Sequence, residues 1–391
     1  MSATEASMSA SAPLPDNATG TAPRPDGSSD PAPGGGTGQN GPAGEARAPS
    51  PLARLARWET LLVLLLVGVA LLNVRLSPYF WNANNILDDT STFVEIGIIA
   101  LPLTLIIVAG QIDLSVASTA ALAAVIFATL NQAGLNVWAA CVVALLVGTA
   151  AGLVNGLIVT VVKLPSLVVT LGTYALYRGL ANGILGSGEI SSFPPAFAGV
   201  DQRYLPGTHI PAPLVIFAVL ALAVGFLLHA TVFGRYVFAI GNNEQASRFS
   251  GVAVDRVVVI LFALSGLFSA LAGLVLTSRV QTARSDTATG FELVAITVAV
   301  LGGANIFGGE GSVPGTVLAL FVIGLLQNGL TLANVGAEIQ TIAVGALLIL
   351  SILAPNIARR ARASWVVRPG RGKGGEATRR GRPLSRSSPS P

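Results

Sequence analysis

Long apolar runs, cut at intervals by charge, Pro or Asn/Gly clusters, fill the middle of this chain. A membrane-spanning helix needs about 20 largely apolar residues, and ten runs come near or pass that length. They are 59–76, 92–110, 114–132, 137–161, 165–185, 211–230, 256–278, 291–307, 313–333 and 338–355. The run from Val137 to Val162 holds no charge and predicts the clearest span. Those within 92–132 and 291–333 are interrupted and predict broken or re-entrant helices. The pattern predicts an all-α integral membrane fold of about ten transmembrane helices, with the membrane domain at 55–356.

Composition sharpens this picture. Of 391 residues, 52% are hydrophobic and 11% charged, against about 25% charged in a soluble domain. A set of soluble domains is excluded for want of polar surface. One cysteine, Cys141, rules out an internal disulfide framework, and two histidines, His209 and His229, assemble no metal-ligand cluster. Residues 1–54 are rich in Pro, Gly, Ala and Ser and lack the aliphatic residues a core needs, which predicts a disordered, cytoplasmic N-terminus. They contain no basic region leading into a short apolar stretch, so no signal peptide is expected.

The net charge of +4 is unevenly placed. From Arg359 onward ten basic residues face one acid, Glu376, while residues 51–356 hold eleven basic and thirteen acidic ones. The positive balance lies in the tail, 357–391, which is expected to be disordered, to fix topology and to lie near anionic lipid headgroups. No basic face for nucleic acid is built into the body. Gly370, Gly372 and Gly375 spell a dinucleotide-binding spacing, but no strand precedes them and no helix follows. Arg54, Arg57, Lys163, Arg235, Arg248, Arg256 and the tail all fall on one side of a ten-span chain, which places both termini in the cytoplasm. Arg203, Arg279 and Arg284 run against that bias on the outer side, with Asp201 and the Pro-rich loop 191–213.

Polar residues inside apolar runs are the candidates for function, because an ionisable group in a bilayer costs several kcal/mol. Asp113 is the foremost, in Ala109-Gly-Gln-Ile-Asp-Leu-Ser-Val-Ala-Ser118. It reads as a pathway element, as the cap of a following helix, or as both, with Ser115 and Ser118 supplying nearby donors. Glu95, Glu292 and Glu338 each stand near the start of a run, where the helix dipole favours a carboxylate. Asn155 and Gln327 line a polar passage or bond a neighbouring helix, and His229 reads as interfacial. Small residues four apart, at Gly148, Gly152 and Gly156, at Gly179 and Gly183, and at Gly266 and Ala270, predict close helix approach. No phosphate-cradling Gly-x-x-x-x-Gly-Lys-Ser/Thr stretch and no nucleophile elbow exists.

Three stretches resemble the permease subunits of bacterial ATP-binding-cassette (ABC) importers for monosaccharides, the ribose, xylose and rhamnose group. The first is Gln111-Ile-Asp-Leu-Ser-Val-Ala-Ser118. The second, 234–251, contains Gly-Asn-Asn-Glu-Gln-Ala-Ser-Arg, and the third is the Gly-rich stretch 301–315. Gln111 and Ala117 stand where this group usually has Gly. The resemblance covers about residues 55–355 and implies a type II-like importer permease. It implies a second permease chain, like or unlike, sharing the translocation pathway. It also implies a cytoplasmic tandem-domain ATPase that carries the ATP and Mg, a periplasmic sugar-binding protein, and residence in the bacterial inner membrane. No cofactor is expected in this chain itself. The resemblance assigns Arg235, Asn242, Glu244, Ala246, Arg248 and Gly251 to an ATPase coupling loop. Asp113, Ser115 and Asn155 are expected to shape the pathway. The rival readings are an ion-coupled secondary transporter, with Asp113 as the coupling carboxylate, and an ABC permease for nucleosides or amino acids. A membrane-embedded enzyme fails because no catalytic set assembles.

Overall fold

Residues 58–76, 80, 83–202, 204 and 209–366 are described by a computed structural model. Among them lie thirteen α-helices and one short β-ladder. In chain order these are α1 (Trp58–Leu76), α2 (Ala83–Val108), α3 (Val116–Gln132) and α4 (Val137–Leu157), which runs on through a π-helical turn, Ile158–Val162. Then come α5 (Ser166–Leu185), β1 (Glu189–Ser191), α6 (Pro195–Gln202), α7 (Ala212–Ala230), α8 (Val232–Asn242) and α9 (Glu244–Phe249). The chain closes with α10 (Val254–Val280), β2 (Thr282–Arg284), α11 (Phe291–Leu301), α12 (Val313–Leu332) and α13 (Ala337–Val366).

Each of the ten apolar runs coincides with a helix. Six helices, α1, α2, α4, α7, α10 and α12, are long and apolar enough to cross a membrane, while α3, α11 and the first part of α13 are shorter apolar helices. Their starts follow from local chemistry. Asn136 accepts from the amides of Trp138 and Ala139, Thr231 from Gly234, Asn243 from Ala246 and Ser312 from Gly315, so each satisfies a backbone donor that the first helical turn leaves free.

The centre of the bundle is α2 and α10. From Thr90 to Val108, α2 is almost wholly enclosed, and α10 packs against α4, α3 and α2. The close approach foreseen from small residues is realised between α4 and α10. A Cβ at Gly152 would overlap the Phe262 carbonyl, and one at Gly266 the Gly148 carbonyl, so the two backbones touch. Gly179 and Gly183 on α5 meet nothing within 4 Å.

Several connections gather at each end. At one end the indole of Trp58 donates to the Leu301 carbonyl (2.7 Å), Gly309 N donates to Val108 O (2.8 Å), and Lys163 pairs with Asp255 (2.8 Å). At the other end β1 pairs antiparallel with β2, Glu189 opposite Arg284, and Ser278 donates to Phe197 O (2.7 Å). This ladder is a small addition to the expected all-α fold.

The interruptions within 92–132 and 291–333 are confirmed as breaks. Residues 109–115 leave α2 without helical structure before α3 begins. Helix α11 has eleven residues, about 16 Å, roughly half a bilayer's hydrocarbon thickness. The non-helical residues before it fold inward, with Ala288 packed against Ala117, Ala120 and Leu276. Two expectations are corrected. Glu95 caps no helix: it lies midway along α2 and pairs with Arg279 (2.7 Å), because that helix begins at Ala83, before the apolar run does. The expected boundary at 356 is also passed, since α13 continues to Val366 through Ala- and Arg-rich sequence with good helix propensity. Glu292, in the first turn of α11, does accept the Gly290 amide (3.1 Å). The rest of the tail and residues 1–57 lie outside the described residues.

Candidate functional site

The break between α2 and α3 builds a buried polar centre. Asp113 Oδ1 accepts from the Ser115 amide (2.9 Å) and hydroxyl (2.7 Å), and its Oδ2 accepts from the Ser265 hydroxyl on α10 (2.7 Å). Asn155 on α4 donates through Nδ2 to Ser115 Oγ (2.8 Å). The Tyr177 hydroxyl on α5 reaches Asn155 Oδ1 (3.2 Å) and the Ala151 carbonyl (2.9 Å). Freed backbone groups of the break are met as well. Ile112 N donates to Ser166 Oγ (3.0 Å), and Thr170 Oγ1 donates to Ile112 O (3.3 Å). A non-helical chain inside an apolar body needs such partners, since water is not there to supply them.

The structure thus brings Asp113, Ser115 and Asn155 into one network, and adds Ser265 and Tyr177. It also seals the set: Asp113 is 2% exposed and Asn155 is fully buried. Chemically the arrangement is a pin that ties α3, α4, α5 and α10 together. The capping role of Asp113 is met in part, because α3 starts at Val116 with Ser115 at its N-cap, and the carboxylate holds the Ser115 amide.

The second group lies at the Trp58 end of the bundle. Arg248 on α9 grips Glu244 through Nε and Nη2 (3.1 and 2.8 Å) and Asp255 through Nη1 and Nη2 (3.1 and 2.6 Å). Lys163 completes the cluster on Asp255. Donating to the Asp255 and Glu244 carboxylates holds the Arg248 guanidinium well above its ordinary pKa, so it stays charged at any working pH. These groups surround a cavity of about 260 Å³ that Gln111 also lines, two residues from Asp113. Asn242 and Ala246 are exposed; Asn242 Nδ2 donates to Phe238 O (2.8 Å), and Arg235 Nη1 reaches Thr231 O (3.4 Å). Gly251, at φ +84°, supplies the left-handed turn that folds α9 back onto α10. Phe249, at the end of α9, is 92% exposed.

A backbone joint links the two groups. A Cβ on Gly241 of α8 would overlap the Val108 carbonyl, which itself accepts from Gly309 N in the Gly-rich turn between α11 and α12. Gly308 and Gly309 hold positive φ there. The second and third sequence stretches singled out above therefore meet at the end of α2, three residues before the first stretch begins at Gln111. His229 closes the same region by accepting from Val313 N (3.3 Å).

Comparison with known proteins bears on the chain as a whole. Residues 85–352 match the family model described as branched-chain amino acid transport system / permease component. The chain is 38% identical over 317 residues to an "Autoinducer 2 import system permease protein LsrD" of Klebsiella pneumoniae subsp. pneumoniae, covering 79% of this chain and 95% of that one. Proteins of the same name from Photorhabdus laumondii and Yersinia enterocolitica are 40% and 41% identical, each over 77% of this chain and over 91% and 92% of theirs. No solved structure matches the chain.

Proposed function

The chain belongs to the transport-system permease component family and is the membrane permease subunit of an ABC importer, and we propose that its solute is a small sugar-like molecule of the autoinducer 2 or monosaccharide kind. Such a permease, multi-pass in the bacterial inner membrane, works with an ATPase and a binding protein. The assignment of parts is our reading. Ten helices cross, α3 and α11 as broken spans, with both termini and the Trp58 end cytoplasmic. That topology is supported by the grouping of Lys163, Arg235, Arg248 and Arg256 at that end, as the positive-inside rule requires.

The observation that carries the mechanism is the Gly241–Val108–Gly309 backbone joint. Loop 234–251 presses into a cytoplasmic tandem-domain ATPase, which holds the ATP and Mg. Movement of α8 and α9 is passed through the joint to the end of α2, and through Arg248 and Asp255 to α10. Both routes lead to the Asp113 pin, about 15 Å from Asp255 along α10. A second permease chain, identical or related, packs on the open glycines of α5, Gly172, Gly179 and Gly183. A periplasmic binding protein delivers the solute to the β1–β2 end.

The family's description names amino acids, whereas the relatives at about 40% identity are named for autoinducer 2; greater similarity favours the sugar-like solute. The test is uptake by proteoliposomes holding the permease with its ATPase and binding protein. Autoinducer 2, ribose, xylose, rhamnose and leucine serve as probes. ATP-dependent uptake of a sugar-like probe is expected. Uptake driven by a proton or sodium gradient without the ATPase overturns the reading, and uptake of leucine alone moves the solute class.

A further inference from the structure

Helix α11 rises only about 16 Å from Leu301, so the rest of that crossing falls to the non-helical residues 285–290, which follow β2. Their position is fixed by α5. Arg178 donates through Nη1 to the carbonyls of Ser285 (2.6 Å) and Thr287 (2.9 Å), while Ser285 Oγ donates to Gly186 O (3.4 Å) just past the end of α5, so the segment enters from the β1–β2 end and descends toward the start of α11. Ala288 lies against the core, yet Asp286 and Thr289 on the same segment are exposed. Irregular backbone and polar side chains at this depth are not tolerated against lipid. This face of the subunit therefore borders water or another chain.

A second, independent observation marks the same place. Arg178 Nη2 is buried and has no acceptor among the described residues, although the guanidinium rests over the Tyr174 ring at 5.7 Å. Arg284 holds the Asp286 carboxylate through Nε (2.9 Å) and Nη2 (3.3 Å), and the Thr289 hydroxyl donates to the Asp286 carbonyl (2.6 Å), which leaves lone pairs on these oxygens as acceptors and the unused Arg178 N–H groups as donors for a hydroxylated solute.

We propose that Arg178 and Tyr174 of α5, with Asp286 and Thr289 of the non-helical segment, form the solute-recognition patch of the passage and take a polyhydroxylated solute. Asp113, Ser115 and Asn155 then hold the wall in shape from behind. The proposal rests on the importer reading. It differs from it in naming the surface that solute touches.

Two measurements on the assembled complex test it. In a Cys141→Ala background, Thr289→Cys is treated in membrane vesicles of both orientations with a membrane-impermeant methanethiosulfonate. Labelling from at least one side, slowed at least threefold by ribose- or autoinducer 2-loaded binding protein with ATP, is expected; absence of labelling from both sides overturns the proposal, as does labelling that no probe slows. In proteoliposomes, Thr289→Val and Arg178→Lys are expected to lower solute carried per ATP hydrolysed at least tenfold, with Thr289→Ser restoring it. Unchanged stoichiometry overturns the patch. A wild-type complex that carries no probe with ATP, while Thr289→Cys is still labelled and protected, counts against the importer reading and leaves the patch standing.

Discussion

Asp113 is visible in the sequence because a carboxylate flanked by apolar runs is costly without partners, but the partners themselves are not all legible. Ser115 is two residues away, whereas Ser265 lies 152 residues along the chain and no local spacing connects them. The three hydrogen bonds to the Asp113 carboxylate set the expected cost of its removal. Asp113→Ala leaves two hydroxyls and one amide without an acceptor, at about 1–3 kcal/mol for each buried group, so a loss of about 3 kcal/mol or more is expected as a fall in thermal midpoint of the purified protein. A midpoint within a degree of wild type would show the pin to be dispensable. Glycines divide in the same way. Gly152→Ala would drive a methyl into the Phe262 carbonyl and is expected to cost about 1–3 kcal/mol. Gly179→Ala meets nothing in this chain, so the isolated subunit should keep its midpoint while the paired permease falls apart on size-exclusion chromatography. The two substitutions share a chemistry, and only tertiary contact tells them apart.

At the scale of elements, hydropathy locates the spans, because burial in lipid and burial in protein select the same residues. It locates breaks less well, since a polar residue in an apolar run signals either a break or a partner. The stretch near Asp113 is a break, while Glu95 is paired with Arg279 inside an unbroken helix. In the loop we propose for coupling, sequence and structure each supply half of the cluster. The motif names Glu244 and Arg248, and the structure supplies Asp255 and Lys163 as their partners. Because these groups are exposed, each ion pair contributes only about 0.2–1 kcal/mol, and the cluster serves to orient α9 on α10 more than to stabilise the fold. Arg248→Glu is expected to leave the thermal midpoint within about two degrees of wild type but to reduce uptake at least tenfold while ATP hydrolysis by the complex continues. Uptake equal to wild type would remove Arg248 from the coupling route. Gly241→Ala acts on the joint instead: with no room beside Val108 O, it is expected to separate α8 from α2 and to give the same uncoupling with Arg248 intact.

For the whole molecule, connections gather at two ends, Trp58 and Lys163 marking one and the β1–β2 ladder the other. Removing residues 1–50, which hold no apolar run, should leave uptake by the complex within twofold of wild type; a loss greater than tenfold would give that segment a part in transport. What the sequence determined alone is the class of molecule: low charge content requires a membrane, and three short stretches point to the family, while the uneven distribution of Lys and Arg is the ground for the orientation we propose. These are properties of the chain's exchange with lipid and water, which act on each segment separately. The tertiary structure decided which polar residues meet. It set loop 234–251 and the Gly-rich turn against the end of α2, closed Asp113 inside a network, and left Asp286 and Thr289 exposed on the non-helical segment that Arg178 holds. Those outcomes depend on contacts between residues up to hundreds of positions apart, where no pattern along a single chain records which side chain will stand opposite another.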